Sequence, residues 1–399
     1  MRFFLGAYTD DGDGAAGGIG VLDAGDPEGP LAGGQLSVLP DAVRTGGSPS
    51  WLTWHPTLDV VYAALEGDGA VQAFRRTGPA SFAPLGQPMA AGALVCHVAV
   101  EPSGAWLAAT CWGDGRVVRI ALDADGAPVS ARVAEPRADA DADGGMFGEG
   151  RPLDKLGDRG GFGDRGGFGP LDKLGDRSGE GRPLDKLGDR GVGADRGGER
   201  VSRSHQARFV GARTLVTTDM GLDQVRFWHT AGDGLREVDR VVLPFGSGPR
   251  HTVWHPSGHL YVVTELSHEV FVLSPPTDGH GWRVVGGTPV AAVTMPGDFA
   301  AEIALSRDAD FAYVGLRGSN TIATLRVRGT GTELTPVALV ESGVDWPRHH
   351  LIARDTLLVA GQRSDEVASL GLDERTGVPG RVRHRVATPS PSCLLPDRA

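Results

Sequence analysis

Short apolar runs, broken by turns that carry proline and glycine, set the rhythm of this chain. Leu260-Tyr261-Val262-Val263-Thr264 follows the turn Pro256-Ser257-Gly258, and the same order of strand, turn and strand recurs along the sequence. The clearest copies cover residues 50–74, 96–120 and 250–273; weaker ones cover 205–228, 301–325 and 348–370. Trp51 to His97, His205 to His251 and Glu302 to His349 are each spaced by about forty-five residues, the period of a β-propeller blade. Six blades are predicted in this way. The apolar strand at residues 3–8 and the next one at 18–22 would complete a seventh with the C-terminal segment. Such a closure leaves no exposed sheet edge. The expectation is an all-β, seven-bladed propeller with four-stranded antiparallel blades, a single domain over 1–399.

One stretch breaks the rhythm. Residues 136–203 repeat Gly-Arg-Pro-Leu-Asp-Lys-Leu-Gly-Asp-Arg at 150–159 and 181–190, with a shorter copy at 169–177. Glycine is abundant there, the charges nearly balance and β-branched residues are scarce, so little apolar surface can offset the entropy of ordering. The stretch is expected to be a disordered insertion after the second blade. Removing it brings His97 and His205 close to the blade period.

Composition fits this picture: 61 glycines and 27 prolines, with 40% hydrophobic residues, suit many short strands better than a helical bundle. A net charge of −11 argues against nucleic acid as a partner. No apolar run is long enough for a bilayer-spanning helix, and the N-terminus lacks the pattern of a signal peptide, so a cytoplasmic protein without membrane attachment is expected. Three scattered cysteines, Cys96, Cys111 and Cys393, suggest neither a disulfide framework nor a metal site. The lysines, Lys155, Lys173 and Lys186, all lie in the insertion. That argues against Schiff-base chemistry and leaves Arg, His or backbone N–H groups to bind anions in the folded part.

Antiparallel strands bring the start of strand one and the end of strand two of each blade to the same rim. Strand-one starts supply His97, His205, Arg250, His251, Glu302, Arg348 and His349; strand-two ends supply Glu66, Asp219, Glu265, Arg317 and Gln362. His55, His255 and His259 fall in the turns of the other rim and read as structural. A rim rich in His, Arg and Glu suits hydrolysis or isomerisation of a small anion. Glu or His can activate water, and Arg can hold an anion or a developing oxyanion. The plain alternative is that these histidines are hydrogen-bonded structure and that the Arg–Glu pairs tie blades together. No His-Glu-x-x-His, Gly-x-Ser-x-Gly or P-loop pattern is present, no cofactor or metal is expected, and Gly246-Ser247-Gly248-Pro249 is given no phosphate-binding role.

At these residues the chain resembles the bacterial lactonase family of seven-bladed propellers, which includes propeller-type 6-phosphogluconolactonases and 3-carboxy-cis,cis-muconate lactonising enzymes. The run Gly246-Ser247-Gly248-Pro249-Arg250-His251, followed by Glu265-Leu266, carries most of the likeness. Gly6-Ala7-Tyr8-Thr9, Ser48-Pro49-Ser50-Trp51-Leu52, Tyr313-Val314-Gly315-Leu316-Arg317-Gly318, Pro347-Arg348-His349 and Pro391-Ser392-Cys393 extend it. The chain departs where the second blade has Cys111-Trp112 in place of the family's usual Asn-Tyr. The resemblance implies a catalytic group of His205, Arg250, Glu265 and Arg317. Glu66, His97, His251, Asp219, Arg348 and Gln362 then remain as substrate-binding candidates. It implies hydrolysis of an anionic sugar-acid lactone, 6-phosphogluconolactone first; a monomer is expected, because a closed propeller leaves no open edge to pair. A muconate-type cycloisomerase and a non-catalytic binding platform are the alternatives.

Overall fold

A computed structural model describes residues 1–137, 200–211, 213–277 and 280–398. They form seven four-stranded antiparallel sheets. Blades 1 to 6 cover residues 49–90, 95–133, 204–242, 249–289, 299–341 and 347–387, each running from its innermost to its outermost strand. Blade 7 is assembled from both ends of the chain. Pro391–Pro396 is its innermost strand, paired with Arg2–Ala7 in the register Phe3↔Pro396 and Leu5↔Leu394. The expected propeller and its closure by the termini are therefore both present.

Packing follows from burial on both faces. The second strands Val60–Leu65, Trp106–Cys111 and Thr356–Gly361 are buried at every position, because a neighbouring blade covers each side. Apolar clusters occupy all seven blade junctions. Tyr261, Val263, Val314 and Leu316 join blades 4 and 5, for example, while Phe4, Val21, Val61 and Phe74 join blades 7 and 1. Each such Val or Leu contributes about 1.5–3 kcal/mol on burial. Outermost strands face water: Arg283–Pro289 is exposed or half-buried throughout.

Tyrosines pin neighbouring blades at equivalent places. Tyr62, Tyr261 and Tyr313 donate their hydroxyls to the carbonyls of Gly126, Gly331 and Gly377 in the next blade, at 2.7, 2.8 and 2.9 Å. The turn rim is also tightly tied. Gly104 has φ +81°, and a Cβ there would sit 2.4 Å from the His55 ring, so the turn requires glycine.

Residues 138–199, the bulk of the predicted insertion, lie outside the described residues, so the expectation of disorder concerns residues the structure does not cover. Its predicted C-terminal limit is too late. Arg200 donates to the Gly221 carbonyl and pairs with Asp223, and Arg203 lies 4.6 Å from the Trp112 ring centroid. Residues 200–203 are thus part of the propeller.

Candidate active site

The innermost strand of every blade is bulged near its start. Register slips at Pro49/Trp51, Val95/His97, Ser204/Ala207, Pro249/His251, Ala300/Ile303 and Pro347/His349, and the same happens in blade 7 where Ser392 is passed over. A bulge adds an unpaired residue and re-aims the side chains beside it. The residues passed over include His205, Arg250, Glu302 and Arg348 in blades 3 to 6, and Ser50, Cys96 and Ser392 in blades 1, 2 and 7. In this way Arg250 and His251, though adjacent in sequence, are both buried: Arg250 meets Glu265 of its own blade, and His251 meets Glu302 of blade 5.

Glu265, at the end of strand two of blade 4, holds the centre of the arrangement. Arg250 Nε lies 2.9 Å and Arg317 Nη2 2.7 Å from the same oxygen, Glu265 Oε2. Both arginines are almost fully buried, and Glu265 is 14% exposed, so the carboxylate is the side of the clamp that meets solvent. Arg317 is braced by the rings of Phe299 and Trp346, at 5.8 and 5.4 Å from their centroids. Burial, and then the neighbouring Arg317, lowers the Arg250 pKa to about 10, which leaves it charged at neutral pH.

Beside this clamp lies a second group. Tyr8 donates its hydroxyl to Glu66 Oε2 at 3.0 Å, Arg348 donates to Gln362 Oε1 at 3.3 Å, and the Arg348 guanidinium sits 5.0 Å from the Tyr8 ring centroid. Burial works against the charge of Arg348, but Tyr8, Glu66 and Glu265 outweigh it and raise its pKa. Across the two groups, three guanidinium ions (Arg250, Arg317, Arg348) face two carboxylates (Glu66, Glu265).

The third group is a nest of imidazoles. His251 Nδ1 is 2.8 Å and His349 Nε2 3.4 Å from Glu302 Oε2, while Glu302 Oε1 accepts the Ile303 N–H. Trp51 stacks on His97 at 4.1 Å and meets His251 and His349 edge-on. His97 Nδ1 accepts the Ala207 N–H at 3.4 Å, which places its own proton on Nε2, a buried atom without a partner among the described residues. His205 Nδ1 is likewise buried and unpartnered. Burial holds His97, His205 and His251 well below the ordinary histidine pKa, helped by neighbouring cations, and lowers His349 to about 4. All four are neutral imidazoles at pH 7.

Most of the residues chosen from sequence thus meet at one mouth of the channel: His205, Arg250, Glu265 and Arg317, with Glu66, His97, His251, Arg348 and Gln362. Asp219 does not join them. It is fully buried, pairs with Arg226 at 3.0 Å and accepts from Ser202 and from the N–H groups of Arg203 and Leu222, so its oxygens serve its own blade. Gly246-Ser247-Gly248 is also committed elsewhere: the Gly246 and Gly248 N–H groups both donate to Asp223 at 2.7 Å. Tyr8, Trp51 and the hub role of Glu302 escaped the sequence reading, as did Arg208, whose charge acts on His97, His251 and Glu302. Tyr8 and Trp51 could have been found from their place at the strand ends of blades 7 and 1. Among the described residues no set of His, Cys, Asp and Glu is placed to hold a metal ion, and no helix is long and apolar enough to cross a membrane.

A family model described as "Lactonase, 7-bladed beta-propeller" matches residues 2–140 and 176–396. The chain belongs to that family. Among curated proteins, 6-phosphogluconolactonase of Bacillus subtilis is 32% identical over 203 residues, which is 48% of this chain and 56% of that protein. An uncharacterised protein of Staphylococcus saprophyticus is 33% identical over 159 residues, 38% of this chain and 44% of its own length. The chain spans about half the length of these relatives. Among solved structures, a Lactobacillus plantarum protein superposes with a TM-score of 0.74 at 22% identity, covering 99% of this chain and 98% of that one. The Pseudomonas aeruginosa periplasmic gluconolactonase superposes with a TM-score of 0.73 at 20% identity, with coverage of 99% and 98%. At that identity the two structures speak for the shared fold of this lactonase-family propeller.

Proposed function

We propose that this lactonase-family chain hydrolyses a sugar-acid lactone that carries an anionic group, with 6-phosphogluconolactone the first substrate to test. The observation that carries the reading is the clamp of Arg250 and Arg317 on Glu265, set beside Arg348 on one rim. Three buried guanidinium ions against two carboxylates leave a surplus of positive charge that an anionic substrate would neutralise. The name of the Bacillus subtilis relative points the same way. Arg250 and Arg317 would hold the substrate anion and the oxyanion formed when water attacks the lactone carbonyl, and the water proton would pass to a carboxylate or imidazole of the rim. Sequence reasoning names Glu265 or His205 for that step.

The test compares turnover of freshly generated 6-phosphogluconolactone with that of the unphosphorylated lactone. Preference for the phosphorylated substrate supports the reading. Equal turnover of both removes the phosphate, and turnover of neither by well-folded protein removes the lactonase.

A further inference from the structure

Glu265 spends one oxygen on two guanidinium ions, and His205 Nδ1 has no hydrogen-bond partner among the described residues. A third candidate for the proton acceptor has neither feature. His251 presents Nδ1 to Glu302 Oε2 at 2.8 Å, and Glu302 is fixed in turn by the Ile303 N–H and by His349. In a neutral imidazole that contact places the proton on Nδ1 and the lone pair on Nε2. The His251 ring lies 5.0 Å from that of His205 and 5.4 Å from Trp51, and its backbone is continuous with Arg250 of the clamp. A carboxylate that fixes the tautomer and stabilises the imidazolium formed later is what an imidazole base requires.

We propose that His251 is the general base of this site and that Glu302 is its positioning residue. The proposal rests on the lactonase reading above. In the step, water oxygen bonds to the lactone carbonyl carbon as His251 Nε2 takes a water proton, and the carbonyl π pair moves onto oxygen beside Arg250 and Arg317. Collapse of that intermediate breaks the ring C–O bond, and the imidazolium returns its proton to the leaving alkoxide. The products are a hydroxyl group and a carboxylic acid, which then ionises. Every charged or titratable neighbour bears on this balance: Arg250, Arg208, Arg348 and Arg317 favour neutral His251, Glu302 favours the imidazolium, and His97, His205 and His349 are themselves neutral.

Two variants and one spectroscopic measurement test this. His251→Asn keeps an N–H donor for Glu302 but removes the Nε2 base, so kcat should fall at least a hundredfold with KM changed less than threefold. Glu302→Gln should lower kcat and move the acid limb of the kcat/KM profile to lower pH, because the imidazole loses its stabilising carboxylate; Glu302→Asp should recover part of both. Nitrogen NMR of the wild-type His251 ring at pH 7 should show Nδ1 protonated and Nε2 bare. A His251→Asn protein that folds and retains its kcat overturns the proposal, as does an Nε2–H tautomer or an unmoved acid limb in Glu302→Gln. If the wild type turns over no lactone, the functional reading falls first and the catalytic role falls with it. An active wild type with an equally active His251→Asn removes the base alone.

Discussion

The seven bulges of the innermost strands are alike in backbone and unlike in what they carry. In blades 3 to 6 the residues passed over include His205, Arg250, Glu302 and Arg348, all charged or titratable; Arg250 pairs with Glu265, Glu302 with His251 and Arg348 with Gln362, while His205 meets the His251 ring. In blades 7, 1 and 2 they are Ser392, Ser50 and Cys96, small and buried. Ser392 donates to the Ser50 carbonyl at 2.9 Å, and Cys96 contacts the His205 carbonyl at 3.3 Å. The repeat therefore supplies a position, and only part of the ring uses it for chemistry. Blade 1 of the small half also carries Trp51, whose ring packs against His97, His251 and His349.

Removing charge from the armed half should have the largest effect. In Glu265→Gln the guanidinium groups of Arg250 and Arg317 lose the carboxylate oxygen they share. Lactone turnover, measured as kcat/KM, should drop by about a hundred- to a thousandfold, in the range seen when oxyanion donors are displaced. Because breaking a buried pair costs about 3–5 kcal/mol, the unfolding midpoint in urea should fall as well. A variant that keeps both stability and turnover would show that the clamp is neither structural nor functional.

Acid separates the two halves next. Three of the buried histidines, His205, His251 and His349, lie on the armed side and His97 lies in blade 2; all four have folded pKa values below the ordinary histidine value, so they bind protons in the unfolded chain before they do in the folded one. Stability on their account is fully present above about pH 6.5 and is lost as pH falls toward 4. His349 alone, with its pKa near 4, should contribute a loss on the order of 3 kcal/mol by pH 4. Urea denaturation at stepped pH should show stability declining over that window, with a shallower slope in His349→Asn. A flat profile from pH 7 to pH 4 would mean that these rings are not held neutral in the fold.

The period of about forty-five residues, the Pro-x-Gly turns and the terminal strands at both ends made the ring and its closure legible in sequence. The mouth was legible too, because antiparallel pairing alone places strand-one starts beside strand-two ends. Side-chain direction was not. A bulge shifts the alternation by one, so adjacent Arg250 and His251 both turn inward, and Asp219, placed on the same rim by its strand, instead caps the loop of residues 202–203. Whether a histidine is satisfied was equally invisible. His55 spends Nδ1 on the N–H groups of Thr57 and Leu58 and faces the Gly104 carbonyl with Nε2, whereas His205 keeps a buried nitrogen unpartnered. The two look alike as letters; only the partners distinguish a fastener from a working group.

The smallest effect should come from the small half, and its sign is informative. Ser392 Oγ makes a hydrogen bond between blades 7 and 1, so Ser392→Ala removes one donor and leaves the Ser50 carbonyl poorer by a partner. That change should cost about 1 kcal/mol. Ser50 Oγ is buried with no partner, so Ser50→Ala takes away an atom whose desolvation nothing offsets. It should leave the unfolding midpoint unchanged or slightly raised, with turnover intact in both variants. If Ser50→Ala instead lowers kcat/KM tenfold, its hydroxyl faces substrate, and the chemistry extends round the ring past the four blades whose bulges carry charged or titratable residues.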